Sequence, residues 1–203
     1  MDLTVAGITE GEPVPVRHAF CAGEGMGDNI SPAMRWTGAP SGTRSFAVTC
    51  VDADAPTDAT DVNQQGRTVS ADLPRAAFAH WLLVDLPPDT SGLEEAAEAD
   101  GIVAKGKPVA GGALGGVRGA NDFTSWFEGD ADMEGVYGGY DGPCPPWNDS
   151  IVHHYTYTVY ALDVASLRLD AGFRLADLEA AVDGHVLDSA GVTGLYSLNP
   201  AVG

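Results

Sequence analysis

The strongest constraint on the fold is segment 155–162, in which aromatic, threonine and β-branched residues alternate. Side chains two residues apart in an extended strand lie on the same face, so Tyr155 and Tyr157 should face one side of a sheet and the intervening threonine the other. Two further apolar runs, 45–51 and 79–85, are bounded by turn-forming residues and also predict strands. These segments predict a fold built mainly on β-sheets.

Only one helix is clear from the sequence. Leu175, Leu178 and Val182 recur at helical spacing, and Gly184 follows as a stop signal. Loops of unusual length separate the other elements, and such loops are usually functional or disordered. These stretches, rich in glycine, proline and aspartate, are 56–77, 101–120 and 124–146. The whole pattern predicts one domain over residues 1–203, a mainly β fold that forms a β-sandwich with helical structure near its C-terminal end.

The charge balance narrows the set of partners. The 203 residues include 29 acidic and 10 basic side chains, a formal net charge of -19, and only two lysines. An acidic protein of an ordinary cell is one interpretation. The scarcity of lysine favours a halophilic archaeal protein, because concentrated salt, with a Debye length of about 3 Å at 1 M, screens the self-repulsion. Nucleic acids and anionic membrane surfaces require basic patches, so the composition argues against both.

The cysteine pattern predicts reduced thiols. Cys21, Cys50 and Cys144 are an odd number without a C-x-x-C spacing, which argues against a zinc ribbon and against a disulfide framework. No run approaches the ~20 apolar residues of a membrane span. The first residues lack the basic and apolar regions of a signal peptide. The sequence thus predicts a cytoplasmic protein without a metal or a cofactor.

Polar residues cluster at the ends of the predicted strands. Asp52 and Asp54 follow the strand at 45–51, and Pro56 comes two residues later. The two carboxylates would share one face of an extended chain. A simple turn is the alternative, since aspartate and proline also form turns. His80 begins the next apolar run, where a histidine is either a ligand-binding residue or a buried core residue.

A glycine- and proline-rich loop is the third candidate. Segment 138–146 is either a stiff surface turn or a place where a ligand approaches backbone N–H groups closely. The prolines of this loop offer no N–H. Donors would therefore come from Gly142, from Cys144 or from residues after Pro146.

Two adjacent histidines enter the strongest strand. Adjacent strand residues point to opposite faces, so only one of them can enter a pocket that contains Tyr155. Parity selects His153, because residues 153 and 155 share a face, and it directs His154 to the other side.

Together these motifs resemble the phosphatidylethanolamine-binding family, and more specifically its bacterial and archaeal Raf kinase inhibitor-like branch. The combination is specific, although no single motif is decisive. The matching segments stand in the family's order over about residues 16–197: 28–36, 38–40, 52–56, 80–81, 121–123, 138–146, 153–163, 184–187 and 193–197. The resemblance implies two antiparallel β-sheets with C-terminal helices. It also implies a small pocket that holds anions such as phosphate, acetate or a phosphoethanolamine head group.

The resemblance further implies which residues bind the ligand. They are Asp52, Asp54, Pro56, His80, Gly142, Cys144, Pro145, Pro146, His153 and Tyr155. Pro56 matches a proline that the family holds in the cis form. Two positions depart from the family pattern, since Ala53 replaces a proline and His154 replaces an arginine. Segment 124–136 resembles an insertion, and segment 58–77 is long enough to lie over the pocket.

We therefore expect a protein that binds a small anion or a phosphate group and regulates an unidentified partner protein, with a homodimer as one possible assembly. His80 and His153 are expected as charged donors, because nearby carboxylates should raise a histidine pKa. Tyr155 and the Cys144 amide would be neutral donors.

Two alternatives stay open, and no catalytic residue is assigned. One is a hydrolase, with the Asp/His pocket acting on a phosphoester with or without a metal, or with Cys144 as a nucleophile. The other is a protease or kinase inhibitor that acts through the pocket rim. Trp36, Trp81 and His185 are expected in the core. Trp126 and Trp147 are expected at the pocket mouth.

Overall fold

The computed structural model describes residues 1–23 and 25–202, and most of its regular structure is β-strand. The strands are β1 (Asp2–Val5), β2 (Cys21–Ala22), β3 (Gly25–Met26), β4 (Met34–Thr37), β5 (Ser45–Pro56), β6 (Arg75–Leu86), β7 (Gly92–Leu93), β8 (Val117–Arg118), β9 (His153–Leu162) and β10 (Val186–Tyr196). The helices are α1 (Phe123–Trp126), α2 (Leu175–Val182) and two short 3-10 turns (Val16–His18 and Ala113–Gly115).

The strands form two antiparallel sheets and a short ribbon. The large sheet has the order β10-β9-β5-β6-β8, the small sheet has the order β1-β4-β7, and β2 pairs with β3. This confirms the predicted mainly β fold. The three strands expected from the sequence are the centre of the large sheet. The first half of β5 (45–50) and the middle of β6 (79–84) are buried on both faces, which explains their continuous apolar runs.

The main core lies between the two sheets. Trp36 of the small sheet packs on Phe46 of the large sheet, with ring centroids 5.4 Å apart. Trp81, Tyr155 and Tyr157 are fully buried in the same cluster. The residues of β9 alternate between buried and half-buried positions, as the sequence predicts. The core roles expected for Trp36 and Trp81 are confirmed.

Helix α2 covers the outer face of the large sheet. Leu178 and Phe173 are buried there against Leu82 and Leu162. Burying one leucine side chain contributes about 1.5–3 kcal/mol. An isolated helix of eight residues is unstable in water, so this packing holds α2 in place. The helix ends at Val182, before the predicted stop signal, where Gly184 adopts a positive φ of 76°.

A disulfide joins Cys21 of β2 to Cys144 of the proline-rich loop, so the prediction of three reduced thiols is wrong. The backbone brings the two residues together, because the N–H groups of Phe20 and Cys21 both donate to the carbonyl of Pro143, at 3.0 and 3.1 Å. The number of cysteines in the sequence does not show whether two distant ones meet in the fold.

The third cysteine is a buried thiol. Cys50 lies in the core between the sheets, and burial raises its pKa. Among residues 1–23 and 25–202, no helix has the length and apolar character needed to cross a membrane.

We predict that the disulfide stabilises the fold by about 2–4 kcal/mol. It closes a loop with a sequence separation of 123 and so reduces the number of conformations open to the unfolded chain. Urea unfolding of the wild type should show this loss when dithiothreitol is added. A variant with Cys21→Ser and Cys144→Ser should have the lower stability with or without reductant. Equal unfolding free energies for the oxidised and reduced wild type would contradict the prediction.

Candidate functional site

A small cavity opens near the C-terminal end of β5, where β6, β9 and the proline-rich loop meet. Its volume is ≈ 100 Å³, which suits one small group. A mainly apolar pocket with a few convergent polar groups is the usual form of a small-ligand site. The apolar wall consists of Ala55, Pro56, Phe78, Phe123, Trp126, Pro145 and Pro146, and the other lining residues are Asp52, Asn63, His80, Cys144 and His153.

His80 is held in one orientation at the cavity. Its Nδ1 donates to the backbone carbonyl of Asp141 at 2.7 Å, and the Asp141 N–H donates to the His80 carbonyl at 2.9 Å. The rings of Phe123 and Tyr155 pack against the imidazole in edge-on contacts. Because a carbonyl only accepts, Nδ1 carries a proton, and Nε2 of the neutral ring is an acceptor.

His153 lies between two carboxylates. Its Nδ1 is 2.7 Å from Asp52 Oδ2, and its Nε2 is 3.1 Å from Asp149 Oδ2. Both contacts require a proton on the ring, so His153 is an imidazolium. Arg75 donates to both oxygens of Asp149, at 2.6 and 3.0 Å. These four groups, which we call the charge chain, carry two negative and two positive charges.

Burial and charge move the two histidine pKa values in opposite directions. Burial lowers the pKa of His80 and outweighs the nearby carboxylate of Asp52. Burial also opposes the charged form of His153, but its bonds to Asp52 and Asp149 outweigh that effect and raise the pKa. Burial likewise opposes the charged form of Asp149, yet Arg75 and His153 hold its pKa below the usual value. The expected charged histidine is therefore found at His153, whose carboxylate partners raise its pKa, but not at His80, whose pKa is lowered. Both nitrogens of His153 are already engaged, so its charge is not free to donate to a ligand.

Asp141 supports His80 from behind the cavity. Its fully buried carboxylate accepts from Lys107 Nζ at 2.5 Å and from the amides of Asn29 and Asn121 at 2.8 Å each. Breaking a buried charge pair by removing one partner costs about 3–5 kcal/mol. The sequence analysis quoted Asp141 and both asparagines within motifs but gave them no role. The one sequence feature that could have pointed to this buried charge pair is Lys107, because the chain has only two lysines.

Segment 58–77 borders the cavity through Asn63. The Asn63 N–H donates to Asn148 Oδ1 at 2.9 Å, and Asn63 Oδ1 accepts from the Trp147 N–H at 3.0 Å. These reciprocal bonds join the segment to the loop before β9. Trp126 lines the mouth and is 45% exposed, as expected, whereas Trp147 is 42% exposed but does not line the cavity.

The structure brings most of the predicted site residues together. Those that line the cavity are Asp52, Pro56, His80, Cys144, Pro145, Pro146 and His153. Asp54, Gly142 and Tyr155 do not line it. Parity chose correctly between the two histidines, because His153 is buried and His154 is exposed.

Asp54 points away from the cavity. The pairing of β5 with β6 shifts register between Asp52 and Ala55, which breaks the two-residue alternation. The Asp54 carboxylate instead accepts from the backbone N–H of His154 at 2.8 Å and contacts its ring Nδ1 at 2.7 Å. His154, in the position of the family's arginine, thus pairs with Asp54 on the outer surface.

Gly142 and Tyr155 contribute to packing around the site. The Gly142 N–H donates to Asn29 Oδ1 at 2.8 Å, and a Cβ at this position would collide with the carbonyl of His18. Tyr155 lies behind the cavity wall. Among the described residues its buried hydroxyl makes no hydrogen bond of good geometry, although it lies near Asp52 and the Cys144 amide. Burial, followed by the charge of Asp52, raises the pKa of Tyr155 well above its usual value, so this hydroxyl is neutral.

The expectations about the Pro56 peptide bond and the Cys144 thiol are also corrected. The Ala55–Pro56 bond is trans, since the described residues contain no cis peptide bond. The Cys144 side chain is oxidised, so it is not a free nucleophile. Its backbone amide lies between two prolines, forms no backbone–backbone hydrogen bond among the described residues and lies near the Tyr155 hydroxyl.

We predict that His80 titrates below, and His153 above, the ordinary histidine pKa of about 6.5. The imidazole ¹³Cε1 shifts measure both values by NMR. Asp149→Asn should lower the pKa of His153 and leave that of His80 below 6.5. Because its pKa is raised, the stabilisation by His153 is complete below pH 6.5 and is lost as pH rises through the folded-state value. The reverse order of the two pKa values would contradict the charge chain.

Comparisons with known proteins give one consistent result. A family model described as phosphatidylethanolamine-binding protein matches residues 4–197. The UPF0098 protein YbhB of Escherichia coli (strain K12) is 32% identical over 197 residues, which are 97% of this chain and 100% of the relative. A UPF0098 protein of Methanothermobacter thermautotrophicus is 34% identical over 170 residues, or 84% of each chain.

A solved structure agrees with the sequence relatives. The crystal structure of Escherichia coli YbcL, described as a new member of the mammalian PEBP family, has a TM-score of 0.72 at 29% identity and covers 97% of both chains. The family match extends from β1 to the end of β10 and contains every residue that lines the cavity. The chain therefore belongs to the phosphatidylethanolamine-binding protein family.

Proposed function

We propose that the cavity binds a small oxyanion, such as a phosphate group, in a form that carries one exchangeable proton. The observation that supports this most is the presence of both Asp52 and a neutral His80 in the lining of a mainly apolar cavity. Both groups accept hydrogen bonds in this state. A ligand that fits them must bring a donor of its own, and a protonated phosphate does.

The charge of Asp52 explains why the proton is needed. Asp52 uses one oxygen to accept from His153 and the other to accept from the Asp54 N–H, at 2.8 Å. Two like charges 4 Å apart repel by about 4 kcal/mol at an effective dielectric constant of 20. A hydrogen bond to a charged group contributes only about 1.5–3 kcal/mol. A proton on the ligand or on His80 Nε2 converts this repulsion into a hydrogen bond.

Two donors suit the remaining oxygens of such a ligand. The Cys144 amide is the only backbone N–H between residues 143 and 146, and among the described residues it forms no backbone–backbone hydrogen bond. The Tyr155 hydroxyl is buried beside this amide, just behind the cavity wall, without a hydrogen bond of good geometry among the described residues. An unsatisfied buried group of this kind costs about 1–3 kcal/mol, which a deeply placed ligand oxygen would recover. The apolar walls strengthen these contacts by excluding water.

The hydrolase alternative has less support. While the disulfide stands, Cys144 has no thiolate to attack a phosphoester. Both nitrogens of His153 are held by carboxylates, so this residue is not placed as a general base for a bound substrate. Binding, rather than turnover, is the function that the geometry supports.

We predict that phosphate binds at least about tenfold more weakly at pH 8.5 than at pH 5.5, because the required proton is lost from the ligand and from His80. The shift of the unfolding midpoint with phosphate in 2 M KCl measures this. A ligand at 100 times its dissociation constant adds about 2.7 kcal/mol to the unfolding free energy.

Two matched variants locate the binding site. His80→Gln should abolish most of the phosphate shift, whereas His154→Gln, the same change on the outer surface, should preserve it. Equal phosphate affinity at the two pH values, or an unchanged shift in His80→Gln, would contradict the proposal.

A further inference from the structure

Most basic side chains of this acidic protein are already paired with a carboxylate. Seven of the ten lie within 4 Å of an acidic partner: Arg17, Arg35, Arg67, Arg75, Lys107, Arg118 and Arg174. Across residues 1–23 and 25–202, the basic side chains without such a partner are Arg44, Lys105 and Arg168. Unpaired guanidiniums are notable in a chain with a net charge of -19.

Two of these three residues line the same cleft. Arg44 precedes β5, Arg168 follows β9, and both border a cavity of ≈ 510 Å³ together with His185. No aspartate or glutamate is among its lining residues, although the chain contains 29 of them. Arg44 is eight residues from Asp52 along β5, or roughly 26 Å at ~3.3 Å per residue. The cleft is thus at the opposite end of the large sheet from the Asp52 cavity.

The backbone holds Arg168 in a conformation that glycine would adopt more easily. Its φ is 57°, in the left-handed region. The Arg168 N–H donates to Ser166 Oγ at 3.0 Å, and this hydroxyl donates to Asp85 at 2.6 Å. The N–H of Leu167 also donates to Asp85, at 2.8 Å. An arginine at a strained position, with the backbone of residues 166–168 fixed by these hydrogen bonds, points to a role for the guanidinium.

The walls of the cleft add an apolar surface. Val164, Leu167 and Ala181 line it beside the two arginines. His185 is not in the core as the sequence suggested, because it is half-buried here and its Nδ1 contacts Asp163 at 2.8 Å. Asp163 itself does not line the cleft.

We propose that this cleft is a second ligand site, which binds a small organic anion carrying a phosphate or carboxylate group. Guanidinium groups match the geometry of both oxyanions and bind them with charge-assisted hydrogen bonds. Arg44 and Arg168 would hold the anionic group, and Val164 and Leu167 would contact the apolar part of the ligand. This site is independent of the Asp52 cavity and does not require the function proposed for it.

The test is a titration with phenyl phosphate, followed through the backbone amide NMR signal of Leu167. A saturable shift is expected, and Arg168→Gly should weaken it by about tenfold or more, since a charge-assisted bond is lost. The same variant should unfold at no lower temperature than the wild type, because glycine relieves the positive φ. Loss of binding without loss of stability separates a ligand contact from a structural role.

Lys105→Gly is the matched control. Lys105 also has a positive φ, of 67°, and its removal changes the net charge by the same amount. It should leave the titration of Leu167 unchanged, as should His80→Gln at the other site. A parallel titration with benzoate assigns the site to phosphates or to carboxylates, according to which ligand binds more tightly. No saturable shift with either ligand, or an unchanged midpoint in Arg168→Gly, would overturn the proposal.

Discussion

The charge chain of Arg75, Asp149, His153 and Asp52 is the interaction on which the candidate site depends. Its members come from the start of β6, the loop before β9, the start of β9 and the end of β5. The chain therefore joins the three central strands of the large sheet at the place where the cavity opens. A buried charge network is a weak source of net stability, but removal of one member leaves an uncompensated charge and costs about 3–5 kcal/mol. The network thus fixes the position of the Asp52 carboxylate.

The fixed carboxylate of Asp52 restricts which ligands the proposed site could bind. His153 is fully engaged by its two partners, and His80 is oriented by the backbone of Asp141, so neither histidine is a ready donor to a fully ionised anion. The disulfide at Cys144 holds the loop that carries the free amide. The proposed selectivity for a protonated oxyanion rests on this arrangement, in which acceptors outnumber donors around an apolar wall.

The sequence predicted the parts of the molecule that have a strong local pattern. The apolar runs of β5 and β6 and the alternation of β9 identify the centre of the large sheet, and helical spacing identifies α2. Strand β10 escaped prediction, because it lies at the sheet edge and contains Ser189, Gly191 and Gly194, which weaken its alternation. Strands β1 and β4 of the small sheet have four residues each, which is too short for a recognisable pattern.

The same holds for the candidate site: residues with a local sequence signal were predictable, and contacts between residues far apart in the sequence were not. Motif order identified Asp52 and His80, and strand parity separated His153 from its neighbour. The bond between Arg75 and Asp149 spans 74 residues and has no local signal. The direction of Asp54 depends on a shift in strand pairing, which exists only in the folded sheet. A halophilic source, a cytoplasmic location and a homodimer remain predictions from the sequence.

The most direct measurement is the number of protons taken up when phosphate binds. Calorimetric titration at pH 8, in two buffers with different enthalpies of ionisation, gives this number independently of the affinity. We predict uptake of about one proton per phosphate bound, because the ionised Asp52 requires a donor on the ligand or on His80. Binding with no proton uptake would show that the cavity accepts the fully ionised anion, and it would contradict the role assigned here to Asp52.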